Sequence, residues 1–179
     1  MTHYFKKIEL SSSQSLYNIN GLKGDLKFHY GLIRYFNIKD TEYINNINSL
    51  FKIPPARIYF VEGHGIILPH RDNGQASCIN IYLITGNYRT AFWKPGPSAV
   101  PRKGRRYDHK TKSHVEVSIG YFYQGLELMD SFVAEQHEAY ALNVNEFHSV
   151  DNPTSNNIRS FIQLQWDMSF GEMLDALNL

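Results

Sequence analysis

Along the chain, the spacing of apolar and polar positions changes repeatedly, mostly at glycine, proline or asparagine. The first third carries the weakest pattern. Residues 6–10 suit a strand, 11–15 and 18–24 read as loop, and 30–36 (YGLIRYF) fits a strand or a helix equally well. Residues 40–51 (DTEYINNINSLF) are clearer. Ile44, Ile47, Leu50 and Phe51 recur at helical spacing, Asp40 is a good N-cap, and Pro54-Pro55 ends the element.

From Arg57 onward, short runs rich in β-branched and aromatic residues take over. Residues 58–61, 65–68, 78–84 and 90–93 read as strands, broken at Gly63, Asn73-Gly74 and Gly86-Asn87. Within 78–84, alternation puts Cys78, Asn80, Tyr82 and Ile84 on one face and Ile79, Ile81 and Leu83 on the other. Residues 94–114 hold proline, glycine and basic side chains, so a long basic loop is expected there. Strands resume at 115–123, 131–134 and 138–144. Residues 158–166 (IRSFIQLQW) alternate as a half-buried strand does, and Ser169 with Glu172 makes a capping box for a helix through Leu177. Seven or eight short strands, with one helix before and one after, predict a single mainly β domain over 1–179. Its expected form is a jelly-roll-like barrel or sandwich, with the core at about 57–166 and a basic insertion at 94–114.

Composition narrows the setting. The 179 residues include 42% apolar and 20% charged, ordinary globular values, and the 14% aromatics suit pleated surfaces. A net charge of +1 exerts no overall pull towards nucleic acid or membrane. The basic stretch carries Lys94, Arg102, Lys103, Arg105, Arg106, Lys110 and Lys112 against Asp108, but only Tyr107 as an aromatic, which disfavours a nucleic-acid platform. The lone Cys78 has no internal partner, pointing to a reducing, cytoplasmic setting. No signal-like or membrane-spanning stretch is expected. Oligomeric state is left open.

The chemistry concentrates in residues 65–72 (GIILPHRD). On an extended chain, positions i and i+2 share a face, so His70 and Asp72 can bind one ion together. The best third ligand is His148, in 145–150 (NEFHSV). Two imidazoles and one carboxylate leave coordination positions open, the facial triad of non-haem iron(II) oxygenases. By itself, His-x-Asp recurs by chance. Arg159 adds weight, because a charge inside an otherwise apolar strand calls for an anion, and a dicarboxylate could meet it with two parallel hydrogen bonds. Asn80 is a candidate to face the same site. His64, His109, His114 and His137 are expected at the surface, and Trp93 in the core.

The order His70-Arg-Asp72, then His148, then Arg159 eleven residues later, resembles the 2-oxoglutarate and iron(II)-dependent oxygenases. Residues 65–72 look like the approach to the metal site in prolyl hydroxylase-like and aspartyl/asparaginyl β-hydroxylase-like members, and 78–83 (CINIYL) like the strand that follows it. The resemblance covers roughly 57–166. It implies a double-stranded β-helix of cupin-like, jelly-roll form, with iron(II) on His70, Asp72 and His148. It also implies 2-oxoglutarate with its far carboxylate on Arg159, beside Asn80 and Tyr82. Some subfamilies place Ser two residues after the arginine, where this chain has Phe161, so Tyr82 or Tyr88 is the candidate substitute for that hydroxyl. The implied reaction consumes molecular oxygen, with ascorbate as a candidate accessory reductant. It hydroxylates an amino-acid side chain, free or in a peptide, releasing succinate and CO2. Two alternatives stand beside it. One is another cupin-type metal enzyme, because His148-Ser-Val-Asp-Asn152 resembles the end of the second cupin motif; the other is a non-catalytic jelly-roll binding module.

Overall fold

A computed structural model of the chain describes residues 4–10, 14–17, 21–30, 32–72, 77–108, 112–151 and 157–179. Its strands are β1 (Phe5–Ile8), β2 (Lys23–Tyr30), β3 (Ile33–Ile38), β4 (Arg57–Gly63), β5 (Ile67–His70), β6 (Ser77–Ile84) and β7 (Arg89–Pro95). They continue with β8 (Pro101–Asp108), β9 (Ser113–Tyr121), β10 (Leu126–Val133), β11 (Ala139–Leu142), β12 (Phe147–Asp151) and β13 (Arg159–Trp166). Two helices, α1 (Thr41–Ser49) and α2 (Phe170–Leu177), accompany them. The fold is mainly β, as expected. A seven-stranded sheet runs β1-β11-β6-β13-β4-β3-β2, a four-stranded sheet runs β10-β7-β12-β5, and β8 pairs with β9 alone. The pairings are antiparallel, and side chains of both larger sheets pack together, as in a β-sandwich.

The seven-stranded sheet is covered on one face by the helices. Ile79, Ile81 and Leu83 of β6 and Ile162, Leu164 and Trp166 of β13 meet Ile47 and Phe51 from the α1 segment and Phe170 and Met173 of α2. Trp166 stands edge-on to Phe51 at 5.3 Å and donates its indole N–H to Ile53 O at 3.0 Å. Both helix starts follow the sequence: Asp40 accepts from Tyr43 N–H, and Ser169 and Glu172 close the capping box. The opposite face of the sheet looks toward the four-stranded sheet and lines a cavity.

Several expectations are corrected. Residues 94–114 are not a long loop, because most of them belong to β7 and to the β8–β9 ribbon, which runs from Pro101↔Tyr121 to Asp108↔Ser113. The ribbon pairs outside the two larger sheets, and the basic sequence of β8 hid that strand, while most of β9 was expected as a strand from residue 115. It is anchored where Gly120 (φ +130°) presses on Pro69. A Cβ there would sit 2.0 Å from Pro69 O, so only glycine fits. Strand β13 is not half-buried; all eight residues are buried, one face by helices and the other by the opposing sheet. More strands form than the seven or eight expected, including β12 around His148 and the strands β1, β2 and β3 of the first third. Residues 30–36, open between strand and helix, end β2 and begin β3. Trp93 is half-buried rather than core, with its indole N–H on Ser149 Oγ at 2.8 Å. His64, His114 and His137 are exposed as expected, and His109 lies outside the described residues. Among the described residues no helix is long and apolar enough to cross a membrane.

Candidate metal centre

Strands β5 and β12 pair antiparallel with His70 directly opposite His148, which brings the two rings to 4.5 Å between centroids. Two residues past His70, the backbone N–H of Asp72 donates to Val144 O at 3.1 Å, so the chain is tied down as it leaves the strand. Asp72 Oδ1 then lies 3.2 Å from His70 Nε2 and 3.8 Å from His148 Nε2, and one ligand atom from each residue falls within 4.8 Å of the others. Adjacent octahedral ligands bound at about 2.1 Å lie about 3 Å apart, so small shifts suffice to hold one ion.

Both histidines are held ready for it. His70 Nδ1 is 3.0 Å from Leu68 O, and His148 Nδ1 is 3.0 Å from Glu146 O. A carbonyl oxygen only accepts, so each Nδ1 carries a hydrogen, and the position left for a metal is Nε2, which faces Asp72. Burial pushes His148 below its ordinary value, favouring the neutral ring that a metal requires. Burial alone would raise the Asp72 carboxyl, but the His70 hydrogen bond and the nearby imidazoles outweigh it, so the carboxyl stays below its ordinary value.

The triad opens onto a cavity of about 400 Å³ lined from both sheets. Arg159, 5% exposed, lies in its wall at the start of β13. Its guanidinium centres 5.5 Å from the Tyr88 ring and 5.4 Å from the Phe161 ring. Gly63 faces it across the strand pair, where a Cβ would approach Arg159 Nε to 3.4 Å. Burial lowers its pKa, countered by Tyr82, Tyr35 and Tyr88 and by no carboxylate. Among the described residues no carboxylate forms an ion pair with it.

The structure brings His70, Asp72, His148, Arg159, Asn80 and Tyr82 to one cavity. Ile84, on the same expected face as Asn80 and Tyr82, instead ends up solvent-exposed. Of the candidate hydroxyls, Tyr88 is excluded as a free donor: it gives its hydrogen to Asn157 O at 2.7 Å and accepts from Gly65 N–H at 2.9 Å. Ser160 falls on the opposite face of β13 from Arg159. That leaves Tyr82, whose hydroxyl burial pushes above its usual value. Asp151, within the cupin-like ending, is gripped by Arg89 at 3.0 and 2.8 Å, and Asn152 lies outside the described residues.

Sequence reasoning missed other parts of the cavity. Phe28, Tyr35 and Tyr59 form one wall, with Phe28 stacked on Tyr35 at 4.4 Å and Tyr59 edge-on to both. Gln163 and Gln165 of β13 line the floor. Their signal was available, since they share parity with Arg159. No protein-family model matches this chain, and no curated protein matches it, so its function rests on its own chemistry.

Proposed function

We propose that this chain is an iron(II)- and 2-oxoglutarate-dependent oxygenase of double-stranded β-helix form that hydroxylates an amino-acid side chain, free or in a peptide. The observation that carries the reading is that a buried arginine without a carboxylate partner shares one cavity with a two-histidine, one-carboxylate cluster. A lone buried guanidinium is costly, and a dicarboxylate chelating the metal through its other end would relieve it. The donor set also fits: imidazole and carboxylate ligands suit iron(II), and three protein ligands leave positions for cosubstrate and oxygen. When bound, iron and 2-oxoglutarate would supply oxygen activation coupled to decarboxylation, yielding succinate and CO2.

The chain's own residues would do the rest. His70, Asp72 and His148 hold the ion on strands whose pairing fixes their separation. Leu68 O and Glu146 O hold both imidazoles in the metal-binding tautomer. Arg159, braced by Tyr88 and Phe161, orients the cosubstrate. Facing sheets wall the cavity onto which the triad opens, and no side chain is needed as acid or base.

The test is spectroscopic. Iron(II) and 2-oxoglutarate added to the protein without oxygen should produce a visible metal-to-ligand charge-transfer band. Its absence from folded, metal-loaded protein would sink the reading. Arg159→Ala should bind iron as before but lose 2-oxoglutarate affinity at least a hundredfold.

A further inference from the structure

Along the cavity face of β13, beyond Arg159, runs a chain of hydrogen bonds that the proposed chemistry does not use. Arg57 Nη1 donates to Gln165 Oε1 at 3.3 Å. Gln165 Nε2 donates to Gln163 Oε1 at 2.8 Å, and Gln163 Nε2 reaches Cys78 Sγ at 3.8 Å. The Cys78 thiol in turn points to Asn80 Oδ1 at 3.8 Å. Strand pairing builds the row: Gln165 stands between Arg57 and Cys78, and Gln163 between Tyr59 and Asn80.

The direction of this row is forced from one end. An arginine can only donate, so Gln165 must turn its oxygen to Arg57 and its NH2 to Gln163. Gln163 must then turn its own NH2 inward. Each amide oxygen in the row thus already meets a donor. Gln163 Nε2 ends on a thiol sulfur, a weak acceptor that any better one displaces. Gln163 and Gln165 are each 5% exposed, so their N–H groups are shielded from bulk water. Arg57 is tied to Asp167 on its outer side, which holds it at the mouth.

The row is separate from the Arg159 anchor. Gln165 and Arg159 lie at opposite ends of β13, six residues and about 20 Å of strand apart. A single 2-oxoglutarate held by Arg159 and the metal cannot occupy both. Beside the row stands the Phe28–Tyr35–Tyr59 wall, with Phe28 partly open to solvent.

We propose that Arg57, Gln165 and Gln163 form a donor track that seats the substrate's carboxylate, with the substrate's flat or apolar body against Phe28, Tyr35 and Tyr59. The substrate class is then one with a free carboxylate and an aromatic or apolar side, such as a free amino acid or a peptide C-terminus, and not an amine that lacks a carboxylate. That this acid is oxidised rests on the proposed iron chemistry; the binding preference does not.

Three probes of one shape test it: phenylacetate, phenylacetamide and phenethylamine, titrated by calorimetry into the full chain with and without iron(II) and 2-oxoglutarate under argon. Phenylacetate should bind best, phenylacetamide several-fold weaker, and phenethylamine not measurably. Gln163→Leu and Gln165→Leu should each weaken phenylacetate at least tenfold, whereas Arg159→Ala should leave it unchanged. Gln163→Glu, which keeps size and replaces donors by an anion, should reject phenylacetate and admit phenethylamine. The proposal fails if the unaltered protein binds the amine as well as the acid, or binds none of the three. It also fails if Arg159→Ala abolishes phenylacetate binding while the glutamine variants keep it, which would place the acid at the cosubstrate anchor. A missing charge-transfer band with probe selectivity intact would remove the oxygenase reading alone.

Discussion

The two faces of β13 are buried to the same degree and are used in opposite ways. Towards the helices the strand presents Ile162, Leu164 and Trp166; towards the cavity it presents Arg159, Phe161, Gln163 and Gln165. Apolar burial stabilises the first face, by about 1.5–3 kcal/mol for each large side chain removed from water. The second face buries a cation and two amides, groups whose desolvation opposes folding unless each finds a partner. A chain under selection for stability alone would have no reason to keep them. Burial by itself therefore does not separate core from site; the polarity of what is buried does.

The contrast breaks most visibly at Trp166. It is 1% exposed and packed on Phe51. Trp166→Ala should lower unfolding free energy by about 3–5 kcal/mol. Iron affinity of the remaining folded protein should stay within twofold. Urea unfolding followed by metal titration measures both. A loss of metal binding without a loss of stability would mean that the two faces are not independent.

Arg159→Met should give the reverse. Removing a buried, acid-free guanidinium while keeping its length should leave stability unchanged or raise it by about 1 kcal/mol, because the desolvation cost disappears. Affinity for 2-oxoglutarate should fall at least a hundredfold, which is about 2.7 kcal/mol. A clearly destabilised Arg159→Met would show that the guanidinium is held by partners within the chain, and the case for an incoming dicarboxylate would weaken.

The same contrast explains what could be read from the sequence. The triad was legible because it is local: His70 and Asp72 share a face by strand geometry, and His148 lies just past a recognisable strand. Arg159 stood out as a charge in an apolar run. The glutamines did not, because alternation in 158–166 fits a solvent-facing side as well as a lined cavity, and only the opposing sheet decides between them. The Phe28–Tyr35–Tyr59 wall depends on β2 and β3 joining β4 at the edge of the sheet, a pairing that no local pattern encodes. Strand β8 was hidden for a different reason: its sequence, PRKGRRYD, is basic and carries no apolar alternation, whereas its partner β9 does and was legible from residue 115.

The smallest effect separates neighbours on β6. Cys78 faces the cavity and Ile79 the helices, and both are fully buried. Cys78→Ser puts a hydroxyl between the Gln163 donor and the Asn80 acceptor, so its cost should stay within about 1 kcal/mol. Ile79→Thr loses apolar contact and buries an unmet hydroxyl, costing about 2 kcal/mol or more. The pair also differs in pH dependence. Burial raises the Cys78 thiol well above its ordinary 9.0. The unfolded chain therefore releases that proton first, and stability falls as pH rises above about 9 towards the raised value. Cys78→Ser removes this ionisation. Its stability should hold flat across pH 9 and decline only near pH 10, where unfolded tyrosines begin to ionise while buried Tyr82 resists. Stability measured from pH 8 to 10.5 in both proteins checks this. Coincident curves would mean that the thiol reaches solvent and that the donor track is wetter than its burial implies.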